Sequence, residues 1–156
     1  MNGILIIDKP AGITSHDVVS SVRRILKTKR VGHTGTLDPF STGVMVILVG
    51  QATRLAQFLD KDEKEYEADV RFGFETDTGD RTGERRATAA ADGVAPLDTD
   101  RLSGVLDHFR GEIDQIPPMY SAKKIDGTKL YELARKGETV ERQAVRVNIA
   151  ELEWIS

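Results

Sequence analysis

The sequence predicts an α+β domain built on a mixed, mostly antiparallel sheet that is flanked by helices. Three observations lead to this class. Short apolar or alternating runs have the length and residue types of β-strands at residues 3–9, 44–50 and 65–74. Apolar residues at helical spacing follow the first run and recur around residues 98–109. These strands and helices do not alternate with the strict rhythm of a parallel α/β fold, which favours the α+β class.

The chain begins with a predicted strand and a predicted helix. Residues 3–9 (GILIIDK) are apolar and rich in β-branched residues and are followed by Pro10, so they predict a short buried strand. Thr14 and Asp17 have the spacing of a capping box, which predicts the start of a helix. Apolar residues recur at helical spacing from residue 18 to residue 26. The side chains on the outer face of this helix are those of Arg23, Arg24 and Lys27.

The middle of the chain contains two further predicted strands. Residues 44–50 (VMVILVG) form a continuous apolar run that is typical of a strand buried on both faces, and residues 51–60 predict a short helix. Residues 65–74 alternate with a period of two, which predicts the clearest strand of the chain with Tyr66 on its apolar face. The apolar pattern is lost from residue 75 to residue 98, and this composition predicts a long, mobile surface loop.

The last third contains two predicted helices and one strand. Asp98 or Thr99 is expected to cap a helix that ends by Gly111. Residues 115–127 include two consecutive prolines and are expected to be extended. A second helix is predicted over residues 129–136, and residues 144–154 predict a strand with an irregularity near Ala150.

Composition excludes several kinds of chemistry. The 156 residues include no cysteine, which removes disulfides and thiolate nucleophiles, and three histidines give little support for a zinc site. The first residues lack the basic start and the long apolar run of a signal peptide or a membrane span. We therefore expect a cytoplasmic protein with no membrane partner and with neither redox nor zinc chemistry. We also expect a monomer.

Charge is unevenly distributed, although the net charge is only −3. Residues 1–58 carry seven basic and three acidic side chains, whereas residues 59–114 carry eight basic and sixteen acidic ones. Five basic residues lie between Arg23 and Arg30 with no acidic residue among them. This cluster is compatible with a polyanionic partner and equally with a solvated helix end.

Residues 32–43 (GHTGTLDPFSTG) form a loop rich in turn-forming residues, with two open interpretations. In the first, Asp38 caps an ordinary Asp-Pro turn. In the second, the loop holds an ionised carboxylate beside His33 at the mouth of a cleft, where it acts as a nucleophile or general base. A phosphate-binding loop would need a lysine after the glycines, no nucleophile elbow surrounds Ser41, and no second positioned acid is evident. The functional interpretation therefore depends on Asp38 alone.

Four segments resemble motifs of one enzyme family, in the same order. GHTGTLDPFSTGV (residues 32–44) is similar to the active-site motif of the TruB family of pseudouridine synthases, and GILIIDKPAGITSHDVV (residues 3–19) resembles the lysine-proline motif of that family. KEYEADVRFGFETDTGD (residues 64–80) and QIPPMYSAKKIDGTKLYELARKGETVER (residues 115–142) resemble its next two segments. The resemblance implies the pseudouridine synthase fold. It is strongest to the bacterial enzymes that isomerise uridine at position 55 in the T arm of tRNA, with guide-RNA-dependent relatives as a weaker alternative.

The resemblance implies roles for three residues. Asp38 matches the catalytic aspartate, which acts as a nucleophile at the ribose C1′ or as a base toward the sugar. Tyr66 matches the tyrosine that stacks on the target base and is the candidate acceptor of the C5 proton; without the motif it would be interpreted as a core aromatic residue. His33 matches the histidine that fills the space left by the flipped uridine.

Other matched positions are implied to support the loop, and basic residues are expected to contact RNA. Lys9 and Pro10 belong to a motif that supports the active-site loop, and the other loop-support positions are Gly32, Gly35, Thr36, Leu37 and Gly43. The expected contacts to the RNA backbone are Arg23, Arg24, Lys27, Lys29, Arg30, Lys123 and Lys124. The implied partner is the T stem-loop of tRNA, and the family's chemistry implies no metal and no cofactor.

The resemblance also implies that residues 1–156 are part of a catalytic domain, with a long loop or insertion at about residues 75–98. The family continues into a motif whose arginine pairs with the catalytic aspartate, and into a small RNA-binding domain, both beyond Ser156. We therefore expect this chain alone to be weakly active or inactive. The alternative is a non-catalytic RNA-binding or interaction module.

Overall fold

The computed structural model describes residues 1–59, 62–88, 98–121, 124–125 and 127–155. The chain forms two units, Met1–Ala68 and Asp69–Ser156. The elements of the first unit are β1 (Gly3–Lys9), α1 (Ser15–Ile25), β2 (Val31–His33), β3 (Gly43–Val49), a 3-10 helix (Gly50–Leu55) and α2 (Ala56–Leu59). Those of the second unit are β4 (Phe74–Thr76), β5 (Arg85–Thr88), α3 (Thr99–Asp107), β6 (Gly111–Gln115), β7 (Lys124–Ile125), β8 (Thr128–Lys129), α4 (Leu130–Arg135) and β9 (Val145–Ile149).

The first unit is built on a three-stranded antiparallel sheet with the order β1-β3-β2. Lys9 pairs with Gly43, and His33 pairs with Ile47. The carboxyl-terminal ends of β1 and β2 therefore lie at the same end of the sheet as the start of β3. The loop that contains Asp38 leaves and re-enters the sheet at this end.

Helix α1 begins and packs as its sequence predicts. Thr14 is the N-cap and forms a reciprocal capping box with Asp17. The apolar face of the helix covers one face of the sheet and forms the core, in which each buried aliphatic side chain contributes about 1.5–3 kcal/mol. The buried members of this core are Val18, Val19, Val22, Val31, Met45, Ile47 and Val49.

The opposite face of the sheet is largely exposed, so the prediction of fully buried strands is wrong. Ile7 packs against the core, whereas Ile6 on the other face of β1 is 67% exposed. Val44 at the start of β3 is also mostly exposed, although Leu48 is fully buried. The physical reason is that the helix of this unit covers only one face of a pleated sheet, and an apolar run does not show which of its two faces is covered.

The second unit contains three two-stranded antiparallel sheets, β4-β5, β6-β9 and β7-β8. The α+β class is confirmed, with the described strands distributed over four sheets and not one. Asp98 caps α3 as expected, and β9 ends at Ile149, directly before the expected irregularity. Among the described residues, no helix is long and apolar enough to cross a membrane.

Two predictions for the middle of the chain are wrong. Residues 63–72 have no regular secondary structure, and only Phe74 of the predicted strand at 65–74 lies in a strand. Residues 74–88, expected to belong mostly to a mobile loop, form the hairpin β4–β5 with paired ends Phe74 and Thr88. Residues 89–97 of that predicted loop lie outside the described residues.

Candidate active site

The loop between β2 and β3 carries His33 and Asp38, and both of its ends are fixed in the sheet. Thr34 N–H donates to Val46 O over 3.2 Å, which extends the pairing of β2 with β3 by one residue. Ser41 N–H donates to Asp38 O over 3.0 Å, closing a four-residue turn with Pro39 in its second position. Proline is favoured there because its ring fixes φ near the value that the turn needs.

The residue before Asp38 is held by the first residue of α1. Leu37 N–H donates to Ser15 Oγ over 2.9 Å, and the same hydroxyl donates to Leu37 O over 3.0 Å. Ser15 is 3% exposed, and the Leu37 side chain packs against the core of the first unit. The position of Leu37 is therefore set by both its main chain and its side chain.

The residue after Asp38 is held by the segment between β1 and α1. Pro39 O accepts from Gly12 N–H over 2.7 Å and from Lys9 Nζ over 3.4 Å. Lys9 is fully buried, and its ammonium also donates to Pro10 O over 3.0 Å and to Ile13 O over 2.9 Å. Three carbonyl oxygens thus compensate the cost of removing this charge from water.

Asp38 itself is exposed although its two neighbours are held. Within the described residues its carboxylate accepts no hydrogen bond and forms no ion pair, and the turn is closed by main-chain atoms only. The carboxylate is therefore not used as the cap of the turn. The arrangement presents an unpaired carboxylate on a backbone that is anchored on both sides.

His33 and Tyr66 occupy different environments. His33 is half-buried at the end of β2, and its Nδ1 is shielded from solvent without a hydrogen-bond partner in the part of the chain that the structure describes. Tyr66 is 70% exposed in the irregular segment before β4, and no hydrogen bond between described residues joins it to the Asp38 loop. Hydrogen bonds thus link Lys9 and Ser15 to the residues on either side of Asp38, and among the described residues none links Tyr66 to this loop.

The predicted RNA-contacting residues differ in their surroundings. Arg23 is half-buried and donates from Nη2 to Val31 O over 2.9 Å, so its expected place on the outer face of the helix is wrong. The physical reason is that its long side chain reaches from the end of α1 to a carbonyl of β2. Arg30 is exposed and donates from Nε to Thr53 Oγ1 over 3.1 Å. Arg24, Lys27 and Lys29 are also exposed. Lys123 and the side chain of Lys124 lie outside what the structure describes.

Sequence reasoning missed Ser15 and Gly12 as parts of the loop anchor. Ser15 shares the buried stripe of α1 with Val18, Val19 and Val22, at the spacing i, i+3, i+4 and i+7. A hydroxyl on an otherwise apolar stripe was the available signal, since a buried hydroxyl needs a hydrogen-bond partner.

The segment after Phe74 forms a polar turn in the second unit. The Asp80 carboxylate accepts from Thr82 N–H, Thr82 Oγ1 and Thr78 Oγ1 over 2.7, 2.6 and 2.9 Å. Partial burial raises the pKa of Asp80, but the hydrogen bonds from Thr82 and Thr78 outweigh it, and the pKa lies below the usual aspartate value. A cavity of about 460 Å³ lies along this turn and is lined in part by Asp77, Tyr120 and Arg142.

Comparisons with known proteins agree with one another. Residues 23–156 match the family model described as TruB family pseudouridylate synthase (N terminal domain). A protein of Solibacter usitatus named tRNA pseudouridine synthase B is 51% identical over 156 residues, which are 100% of this chain and 52% of that protein. The protein of the same name from Aquifex aeolicus is 49% identical over 156 residues, covering 100% of this chain and 53% of the relative.

A solved structure shares the fold. A chain in the crystal structure of a Cbf5-Nop10-Gar1 complex superposes with a TM-score of 0.52 and 30% identity, covering 78% of this chain and 31% of that chain. Measured against the two relatives named tRNA pseudouridine synthase B, the chain spans about half of their length.

Proposed function

The chain belongs to the TruB family of pseudouridylate synthases, and on this premise we propose that the protein containing it converts uridine to pseudouridine at position 55 in the T arm of tRNA. Relatives about half identical to this chain are named for a tRNA pseudouridine synthase. The observation that carries the proposal is the exposed Asp38 carboxylate, which is unpaired within the described residues and lies between two anchored residues.

The proposed reaction needs one positioned carboxylate. An oxygen of Asp38 attacks the ribose C1′ while the C1′–N1 bond breaks, and the electron pair leaves with uracil. The bound uracil anion turns and rejoins C1′ through C5, which displaces the carboxylate; the C5 proton is lost and N1 gains a proton. Because the pocket holds the freed uracil beside the ribose, the two rejoin without having to meet again in solution. In the alternative, the Asp38 carboxylate removes a proton from the ribose as the C1′–N1 bond breaks, and it returns this proton to the ribose when C5 bonds to C1′.

The other residues act before and after bond breaking in this proposal. The uridine must leave the base stack to reach Asp38, and His33 at the end of β2 occupies the space it leaves. Tyr66 stacks on the base and accepts the C5 proton. Because Tyr66 is exposed and lies outside a strand, this role requires that the ring packs against the bound nucleotide.

A second candidate function is a non-catalytic RNA-binding module. It is favoured by one observation: the side chains of Arg24, Lys27 and Lys29 are exposed and can reach RNA phosphates whether or not Asp38 reacts. Titration of T-arm RNA at several salt concentrations, beside a catalytic assay of the natural full-length protein, separates the two. Salt-dependent binding without any turnover supports the module, and turnover supports the enzyme.

Replacing the carboxylate tests the proposed function directly. In the natural full-length protein, Asp38→Asn is expected to lower tritium release from C5-labelled uridine in T-arm RNA by at least about 1,000-fold, because the amide cannot act as the nucleophile. Asp62→Asn makes the same change of charge at another exposed position of the first unit and is expected to keep release within about threefold of wild type. Release by Asp38→Asn at the wild-type rate would refute the assignment.

A further inference from the structure

We propose that Ser15 is a positioning residue for Asp38, acting through the main chain of Leu37. The inference deepens the proposed function and rests on it, since it names a residue that positions the reacting carboxylate. Ser15 does not contact the substrate in this proposal. Ser15 fixes the peptide before Asp38, whereas Lys9 holds the carbonyl of Pro39, the residue after Asp38.

The Ser15 hydroxyl binds both polar main-chain groups of Leu37. One serine hydroxyl offers one donor and two acceptor sites. Ser15 Oγ accepts from Leu37 N–H over 2.9 Å and donates to Leu37 O over 3.0 Å, so one atom satisfies both polar groups of a residue 22 positions away. With Ser15 only 3% exposed, water does not readily take over these two bonds.

Ser15 is itself held in a fixed position. Ser15 is the first residue of α1, and the residues that follow it on the same stripe, Val18 and Val19, are buried in the core. The hydroxyl is therefore attached to an element that cannot shift without repacking. Gly12 and Lys9 hold Pro39 O on the other side of Asp38, which leaves the backbone of Asp38 fixed at two points.

Loss of the Ser15 hydroxyl is expected to slow catalysis. Without the hydroxyl, Leu37 N–H and Leu37 O must find other partners, and the peptide before Asp38 moves. A displacement of about 1 Å at a reacting group can lower a rate by about 100-fold. The solvated cations Arg24, Lys27 and Lys29 are not part of the anchor, so RNA affinity is expected to change little.

The test compares two neighbouring residues of the same helix start in the natural full-length protein. Ser15→Ala is expected to lower kcat for C5 tritium release by about 10- to 100-fold, with KM within about threefold. Thr14→Ala removes the N-cap and destabilises the same helix without touching Leu37, and kcat is expected to stay within about threefold. Ser15→Cys replaces the hydroxyl by a somewhat larger thiol that hydrogen-bonds weakly, and it is expected to lower kcat as Ser15→Ala does.

Three outcomes would overturn the proposal. They are an unchanged kcat for both Ser15 variants, an equal loss of kcat for Thr14→Ala and Ser15→Ala, and an effect on KM alone. Asp38→Asn in the same assay distinguishes failure of the positioning role of Ser15 from failure of the proposed function. If Asp38→Asn is inactive and Ser15→Ala is fully active, only the positioning role fails; if Asp38→Asn is active, the proposed function fails.

Discussion

Single residues in the first unit are buried or exposed against their usual preferences. Lys9 is fully buried because its ammonium has three carbonyl acceptors. Ile6 in the same strand is mostly exposed. Asp38 is exposed while Ser15, a small polar residue, is buried. At this scale the candidate site is organised by main-chain atoms of Leu37 and Pro39, and the side chains that hold them need not touch a substrate.

Asp80 is expected to titrate below the ordinary aspartate range. The hydrogen bonds that outweigh its partial burial stabilise the ionised form in the folded state. Because the folded-state pKa is lowered, this contribution to stability is present above the unfolded pKa of about 4 and is lost as the pH falls through the folded pKa. Carbon-detected NMR titration of the Asp80 carboxyl measures this shift.

Removing one hydrogen-bond donor to Asp80 tests the direction of its pKa shift. Thr82→Val deletes the hydroxyl that donates to Asp80 and is expected to raise the pKa of Asp80 toward its ordinary value. Thr88→Val, an exposed position at the end of β5, serves as the matched control and is expected to leave the titration unchanged. Identical Asp80 titrations in Thr82→Val and wild type would contradict the assignment of the cause.

Helix α1 is the element that links the parts of the first unit. Its start is closed by Thr14 and Asp17, and its end by the bond from Thr28 N–H to Arg23 O over 3.1 Å. The second bond has the geometry of a Schellman motif, which places Lys27 in the left-handed region with φ of 49°. This conformation usually belongs to glycine, since a Cβ is crowded there.

Replacing Lys27 is therefore expected to stabilise the helix end. Lys27→Gly relieves the left-handed strain and is expected to raise the free energy of unfolding by up to about 1 kcal/mol, measured by urea denaturation. Lys29→Gly, two residues later and without a positive φ, is expected to be neutral or destabilising. If both glycine variants lower the urea midpoint equally, strain at Lys27 is not the cause.

The elements also show which signals a sequence carries. The start of α1 could be predicted because a capping box and an apolar stripe are local patterns. The strand predicted at residues 65–74 is absent because alternation gives a strand one apolar face but not a partner to pair with, and pairing is non-local. The bonds of Ser15 to Leu37 join residues far apart in sequence, so only the unusual hydroxyl on the stripe pointed to them. His33 and Asp38 could be proposed as candidates from the sequence because their motif is contiguous.

At the scale of the whole chain, burial is concentrated in the first unit. Its core joins α1, β2 and β3, whereas Leu130 is the one fully buried apolar side chain described in the unit Asp69–Ser156. Local stability follows the number of buried contacts and hydrogen bonds. The two units are therefore expected to differ in their protection from solvent exchange.

Hydrogen exchange with mass spectrometry tests this difference. Peptides from β1, α1 and β3 are expected to exchange at least about tenfold more slowly than peptides from residues 98–121, and residues 62–72 are expected to exchange fastest. The irregular segment provides an internal reference for unprotected amides. Equal protection of β3 and α3 would show that burial in the first unit does not control stability.

Helix α1 also sets a distance within the first unit. Its first residue seats the loop of Asp38, and its last turn carries the solvated side chain of Arg24. Nine residues at 1.5 Å each set these two points about 14 Å apart along the helix axis. Adding one helical turn before Arg24 would increase this separation by about 5.4 Å. The length of α1 therefore sets how far the exposed Arg24 lies from the anchor of the Asp38 loop.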